Sequence, residues 1–518
     1  MKTTLLWALA IAAGAAGAAD RAAPVADPLG LLGRHGAVAL GAPALSQAVS
    51  AALLAPGVTH YTVLRGEPQA GKTWQLVAGV ALDAATRARA RDCLLGLGLG
   101  ARMRSYRIAG APDTPYQALA GGDFASLEAA AAAASRAAPG CTLAPRDRAE
   151  EADNRTGPWR VDIVALEPRM AGGHWTAAAA PDGARMRTSE LARGAGALVA
   201  VNGGFFVEKE ADGFPGQAAG VSVLAGRIAG APVAGRPAVV LAGPSPVIAD
   251  PFAWRLWLAW PDGAQTPLDG VDRPQGKVRN CGRGAGDLPI HDHTCDYADD
   301  LVIYPAGNPV AVRANGGGSR FALAASGALR ELGPGEQPSP QEALLAAGAA
   351  GSRAAALRRQ AGQGGRAEIR LETSAGSGAD LLARGASVVN AGPTLLAGGK
   401  PVYKDAPQGW AIDATQEAAH RLLMHDWINR RNPRTALGVR ADGTVLLVTV
   451  DGHRHDSAVG LTIEELRRLM ASLGALDAVN LDGGGSSALA IRGRLVNHPS
   501  DRDGERKVGD AILFIPER

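Results

Sequence analysis

Hydrophobic positions along this chain fall into short alternating or continuous runs stopped by Gly and Pro, and few stretches carry helical spacing. The run from Gly57 to Leu64 alternates as a half-buried strand does, and Arg65-Gly66 ends it. Between Lys72 and Arg146 one pattern occurs twice. Its first half is a strand from Trp74 to Gly79, a helix from Ala84 to Leu95 and a strand from Met103 to Ile108. Its second half is a strand from Tyr116 to Gly121, a helix from Ser126 to Ala138 and a short strand from Cys141 to Leu143. Two such halves predict a small ferredoxin-like βαββαβ unit with both helices on one sheet face. Beyond Gly157 the chain reads as strands between turns: Trp159 to Leu166, Ala197 to Phe206 and Leu301 to Tyr304, with a helical stretch from Pro340 to Gln360. The clearest pattern is the last. Val445 to Val450 is a buried strand, Thr462-Ile463-Glu464-Glu465 is a capping box, and Leu466, Leu469, Met470 and Leu473 give one apolar helix face that Gly474 ends. Ala478 to Leu481 follows, which predicts a βαβ crossover with parallel neighbouring strands and ligand-binding loops at their carboxyl ends. The fold class is α+β with a mixed sheet.

Composition narrows this picture. At 518 residues the chain has room for about three compact units. Hydrophobic residues make up 47% but aromatic ones 4%, with 68 Gly, so the core is rich in Ala, Val and Leu. Collagen and coiled coil are excluded by the absence of their periods. A net charge of +3 lacks the excess of a non-specific nucleic-acid binder. Residues 1–19 pair Lys2 with an uncharged run and an Ala16-Gly17-Ala18 cleavage pattern, a signal peptide too short to span a bilayer. Export to a periplasm or beyond is expected, with no transmembrane segment. Residues 20–54 read as a linker or arm. Four cysteines in an exported chain predict disulfides, and proximity pairs Cys281 with Cys295 and Cys93 with Cys141. A zinc site using His291 and His293 between the last two thiols ranks below the disulfide, because the spacing matches no common zinc module.

Two strand ends carry the candidate chemistry: Asn202-Gly203-Gly204, and Asn480-Leu481-Asp482-Gly483-Gly484-Gly485-Ser486. Consecutive glycines let N–H groups converge on an anion. The second run leads into another strand, so it is neither a Walker loop nor a dinucleotide fingerprint. Asn315 to Ser319 has the same look and reads as a hairpin turn.

Gly121-Gly122-Asp123-Phe124-Ala125-Ser126-Leu127-Glu128 resembles the SPOR family of envelope domains, which implies peptidoglycan as a partner, against a plain packing role for the unit. Asn432-Pro433-Arg434-Thr435, Asp451-Gly452-His453, the Asp482 loop, Asn497 to Asp501 and Glu505-Arg506 together resemble the phosphodiester glycosidase family. Upstream, the resemblance takes in Asn390 to Leu396 and the Asn202 loop. It implies a discontinuous catalytic domain, 55–69 with 152–518, and a SPOR-like unit inserted at 70–148. It further implies hydrolysis of a sugar-1-phosphodiester in an envelope or extracellular polysaccharide. Arg434 is expected to hold the phosphate bidentately, aided by the N–H groups of Gly483 to Gly485, the Ser486 hydroxyl and Thr435. Asp482 is the expected catalytic carboxylate, with Asp451 as partner. Asn202, Gly203, Gly204 and Asn480 are expected to bind sugar or phosphate, and Arg506 to add an anion contact. His453 stands where the family usually has Arg. No cofactor or metal is expected; a calcium ion among Asp451, Asp482 and Asp510 is an option without a known loop spacing. The alternative reading is a non-catalytic envelope protein that binds peptidoglycan or polysaccharide.

Overall fold

The computed structural model describes Leu31 and residues 37–517, except 69–72, 111–114, 152–154, 182, 283–287, 309–317, 350, 375, 378–381 and 383–384. The expected signal peptide and most of the Asn315 to Ser319 turn lie outside the described residues.

Apolar runs assemble into an eight-stranded sheet, in the order Gln47–Ala55, Val58–Arg65, Trp159–Leu166, Val445–Val450, Arg434–Arg440, Ala475–Asn480, Thr394–Ala397 and Lys400–Pro401. Every neighbouring pair is antiparallel. This corrects two expectations. Gln47–Ala55, which fell in the linker, is an edge strand; its Ala-rich run shows little alternation, and Gly57, at φ 70°, turns the chain back to pair with it. The strands flanking the crossover helix are not neighbours, because Arg434–Arg440 lies between them and pairs with both. That strand reaches Val445–Val450 through a short hairpin link, so local pairing takes the adjacent position.

The crossover helix, Ile463–Ser472, is capped as its sequence predicts: Thr462 Oγ1 accepts the Glu465 N–H at 3.1 Å, and the Glu465 carboxylate accepts the Thr462 N–H at 3.0 Å. Its Leu466, Leu469 and Met470 are fully buried on the large sheet, each contributing roughly 1.5–3 kcal/mol. On the other face lies a five-stranded sheet centred on Val199–Asn202 and Asp510–Pro516. Val199, Val201, Leu437, Leu447, Val479 and Ile512 interleave between the two sheets. In the 340–360 stretch, Ala343–Ala347 is a fully buried strand and the helix is Ser352–Gly362. Gly348 and Gly351 separate them where a Cβ would strike Ala298 and Asp299.

The chain leaves the large sheet at Arg65 and returns at Trp159, its register partner. Between them, strands Trp74–Ala81, Ala101–Tyr106, Tyr116–Phe124 and Ala144–Asp147 alternate with helices Ala84–Leu95 and Leu127–Ala134. Their antiparallel sheet runs Ala101–Tyr106, Tyr116–Phe124, Trp74–Ala81, Ala144–Asp147. One face buries Leu76 and Leu119 against Leu94 and Ala130 of the helices. The other sets Val77, Val80 and Tyr116 against Leu422 of helix Ala418–Asn429. Tyr116 Oη meets His425 Nδ1 at 2.9 Å, and burial pushes His425 down to about 4, so the phenol donates to a neutral ring. Arg146 clamps Asp426 through Nε at 2.8 Å and Nη2 at 2.6 Å. Disulfides join Cys93 to Cys141 and Cys281 to Cys295. No helix among the described residues is long and apolar enough to cross a membrane.

Candidate active site

Where the two packed sheets meet, the end of Ala475–Asn480 and the start of Arg434–Arg440 open onto a cleft of about 360 Å³. Arg434, Asp482, Gly483, Gly484, Gly485 and Arg506 line it. Arg434 is 1% exposed and forms no ion pair among the described residues, the Glu465 carboxylate acting on it only from a distance. Its Nε donates to Leu461 O at 2.8 Å, its Nη2 to the carbonyls of Trp427 and Arg430, and the indole of Trp427 lies 4.9 Å from its Cζ. Burial lowers its pKa to about 9, which leaves it charged at neutral pH. A buried guanidinium held by neutral carbonyls and a ring face, with Nη1 making no hydrogen bond among the described residues, is an anion site in waiting.

Asp482 sits across the loop. Burial of its carboxyl pushes the pKa up to about 7, offset in part by the Ser486 hydroxyl, the Gly483 N–H at 2.8 Å and Arg506. The loop amides do not all converge on one point. Gly483 N–H goes to Asp482 and Gly484 N–H to Pro433 O at 2.9 Å, so of the three expected donors Gly485 N–H alone is uncommitted among the described residues. A Cβ at Gly485 would press on the Asp501 carboxylate and the Arg506 guanidinium, whose side-chain ends would have to move aside. The Ser487 hydroxyl is buried without a hydrogen-bond partner among the described residues, and neither Ser486 nor Ser487 lines the cleft.

Several expected ligand contacts turn out to lie behind the cleft. Asn202 is fully buried; its Nδ2 donates to Asp482 O at 2.8 Å, and its Oδ1 accepts from Thr435 Oγ1 at 2.7 Å and Ala488 N at 3.1 Å. Asn202 and Thr435 therefore brace the Asp482 loop. Gly203 O accepts the Asp482 N–H at 3.1 Å, and Gly204 N–H donates to Asp510 at 2.9 Å. Asn480 Nδ2 donates to Gly392 O at 2.9 Å. Polar strand ends buried between sheets must satisfy one another, which removes them from the ligand's reach. Asp451 is the clearest correction. Its carboxylate accepts from His498 N and Asn497 Nδ2, pairs with Arg160 at 3.3 Å, and does not line the cleft. Asp451, Asp482 and Asp510 are not gathered at ligand distance among the described residues; the group that is, Cys281, His293 and Cys295, has both thiols in a disulfide. Arg506 does line the cleft, but Asp501 at 2.7 Å and Glu208 at 3.0 Å already pair with it.

Residues 312–515 match the phosphodiester glycosidase family. A solved Burkholderia pseudomallei structure, of a protein named as exported, is 31% identical and superposes over 92% of this chain and 98% of its own, with a TM-score of 0.78. The chain carries a phosphodiester glycosidase domain. Among curated proteins, a Bacillus subtilis prophage-derived protein is 36% identical over 105 residues, which is 20% of this chain and 16% of that protein. The mouse N-acetylglucosamine-1-phosphodiester alpha-N-acetylglucosaminidase is 31% identical over 100 residues, 19% of this chain. This chain thus matches less than a fifth of either curated relative's length, 16% and 18%. The family match contains Arg434, the Asp482 loop, Arg506 and Trp427, whereas Phe205, Arg279, His291 and Asp292 of the opposite wall lie outside it.

That opposite wall went unassigned from sequence. The Cys281–Cys295 loop supplies His291 and Asp292, with Arg279 just ahead of it, and Phe205 and Trp427 complete an aromatic side. Arg279 pairs with Asp212 at 3.1 Å and also with Asp292. His291 lay between the two thiols in sequence, where attention went to metal binding. Trp427 sits on a helix whose spacing gave no distinct face. A second groove, of about 460 Å³, runs between the 74–147 unit and helix Ala418–Asn429. It shares Asn432 and His453 with the cleft of this glycosidase fold. There His453 Nδ1 lies 2.7 Å from Glu150 of the excursion, which is how the family's usual Arg position is used here.

Proposed function

We propose that the protein is an exported glycosidase hydrolysing sugar-1-phosphodiester bonds of envelope or extracellular polysaccharide. The observation that carries this reading is Arg434: a buried cation in no ion pair among the described residues, an Nη1 without a hydrogen bond there and a carboxyl across the loop suit a substrate carrying one phosphate anion beside a sugar. The uncommitted Gly485 N–H adds a second donor for that phosphate. When the C1–O bond breaks, the electron pair leaves on a phosphate monoester whose second pKa is about 6, so little proton donation is needed. Asp482 serves the sugar side, ionised, either attacking C1 or taking a proton from the water that does; the anomer first released distinguishes the two. With Asp451 tied elsewhere, Glu208, Asp292 and Asp501 are the other carboxylates of the cleft, each beside an arginine.

In this reading the 74–147 unit is a wall of the substrate groove rather than a free tether. Both faces of its sheet are covered, by its own helices and by helix Ala418–Asn429, which leaves its outer edges and helices for any peptidoglycan contact expected of a SPOR-like unit. The test is release of N-acetylglucosamine from its methyl 1-phosphodiester by the wild type and by Asp482→Asn. No release by the folded wild type removes the enzyme reading and leaves the binding-protein one. Retention of the full chain on purified peptidoglycan tests the partner separately.

A further inference from the structure

His291 is held in a way that neither a packing role nor a metal role explains. Its ring is 7% exposed and wedged among Phe205, Trp410 and Trp427, with centroids 4.8, 5.2 and 5.3 Å away. Behind it, Arg236 Nη2 lies 3.1 Å from His291 Nδ1. A guanidinium N–H can only donate, so Nδ1 is the acceptor and the ring proton sits on Nε2. Arg236 is fixed in turn: its Nε donates to Gln408 O at 2.9 Å, and its Cζ lies 4.6 Å from the Trp410 ring. Among the described residues it forms no ion pair, Asp292 acting on it only from a distance, and its Nη1 is buried without a hydrogen-bond partner. The Arg279 cation also opposes charge on the ring, as does His420 when protonated, although burial holds His420 below its ordinary value; Asp292 is the nearby acid. A second proton on His291 would be buried among these, which burial and the neighbouring Arg236 both oppose. Nε2 itself has no partner among the described residues, and His291 lines the cleft that holds Arg434 and Asp482.

We infer that His291 is a neutral, tautomer-locked hydrogen-bond donor of the cleft, presenting Nε2–H to an acceptor oxygen of the bound sugar, with Arg236 as its positioning residue. The site then divides its labour by charge: Arg434 takes the anion, and an uncharged donor backed by aromatic rings takes the sugar. This assignment of the sugar rests on the proposed function; the tautomer does not.

The experiment uses the full chain, 15N-labelled at histidine, with the methyl 1-phosphodiester of N-acetylglucosamine added to the Asp482→Asn variant. Long-range 1H–15N spectra should show the His291 Nε2–H form at every pH from 5 to 8, with Nε2 shifted by the ligand. Arg236→Met should release the lock, so that both tautomers or a titrating ring appear. In the wild type, His291→Phe should raise KM about five- to tenfold, the loss of one neutral hydrogen bond, with kcat changed less than threefold, and His291→Gln should restore most of it. A His291 that is Nδ1-protonated, that titrates between pH 5 and 8, or that ignores the ligand overturns the inference. Absence of turnover alone sinks the glycosidase reading, while the spectra still decide this one.

Discussion

Asp482→Asn should cost the protein its activity and make it more stable, by an amount that grows as pH rises from about 4 to 7. The carboxyl has an ordinary value of 3.8, raised to about 7 in the fold. A raised acid is favourable to folding while protonated, so its contribution is intact below pH 4 and is lost as pH climbs to 7. Three pKa units correspond to about 4 kcal/mol; the edge that Asp482 opens to the cleft trims this to about 2–4. The asparagine retains an oxygen for the Gly483 N–H and carries no charge to bury. A chain of 518 residues unfolds with an entropy near 1 kcal/mol per degree. The variant should therefore melt about 2–4 °C above the wild type at pH 8, by about a third of that at pH 5, and nearly level with it at pH 4, measured by calorimetry. Asp272 and Asp510, raised to about 7 and 6, titrate in both proteins and cancel in the comparison. A gap equal at all three pH values, or a variant that melts lower at pH 8, refutes the burial argument. Wild-type kcat/KM should rise with pH along a limb near 7 if the ionised form is the working one.

Arg434→Met should weaken binding of the methyl phosphodiester by about 10- to 100-fold, as loss of a charged hydrogen bond does; calorimetric titration giving an unchanged Kd would place the phosphate elsewhere. Asn202→Ala, which touches no ligand, should still lower kcat at least tenfold by releasing three bonds to the Asp482 and Ala488 segments, and unchanged kinetics would show that the loop holds itself. Replacing both Cys281 and Cys295 by Ser removes a closure spanning 14 residues, worth about 3 kcal/mol; hydrogen exchange should rise across 279–293 with activity lost, and protection equal to wild type would show that the loop stands without its bridge.

Strong local signals were legible in the chain. The capping box at Thr462 and the continuous run Val445 to Val450 need little tertiary help, so helix and strand appear where the sequence puts them. Sheet neighbours are a different matter: nothing in Val445 to Leu481 says that Arg434–Arg440 will slip between the two strands, since pairing depends on a hairpin closing first. The Ala-rich edge Gln47–Ala55 has too little contrast between its faces to declare itself. Within the cleft, sequence singled out Arg434 and Asp482 because their residue types suit anion and sugar chemistry. It misjudged Asn202, Thr435 and Asp451 because a motif does not reveal which of its polar groups face each other. His291 was illegible because it reaches the cleft from a distant disulfide-closed loop, and Trp427, although close to Arg434 in the chain, because its helix spacing gave no distinct face.

The 74–147 excursion departs and rejoins at strand ends that are already hydrogen-bonded partners, Arg65 and Trp159. Loops opened between such ends disturb the scaffold little, so this point of the large sheet is a socket. What is plugged into it borders the mouth of the cleft through Glu150 and His453. Under the function proposed above, a lineage could thereby exchange the selector for the polymer beyond the bond being broken, while Arg434 and Asp482 stay in place.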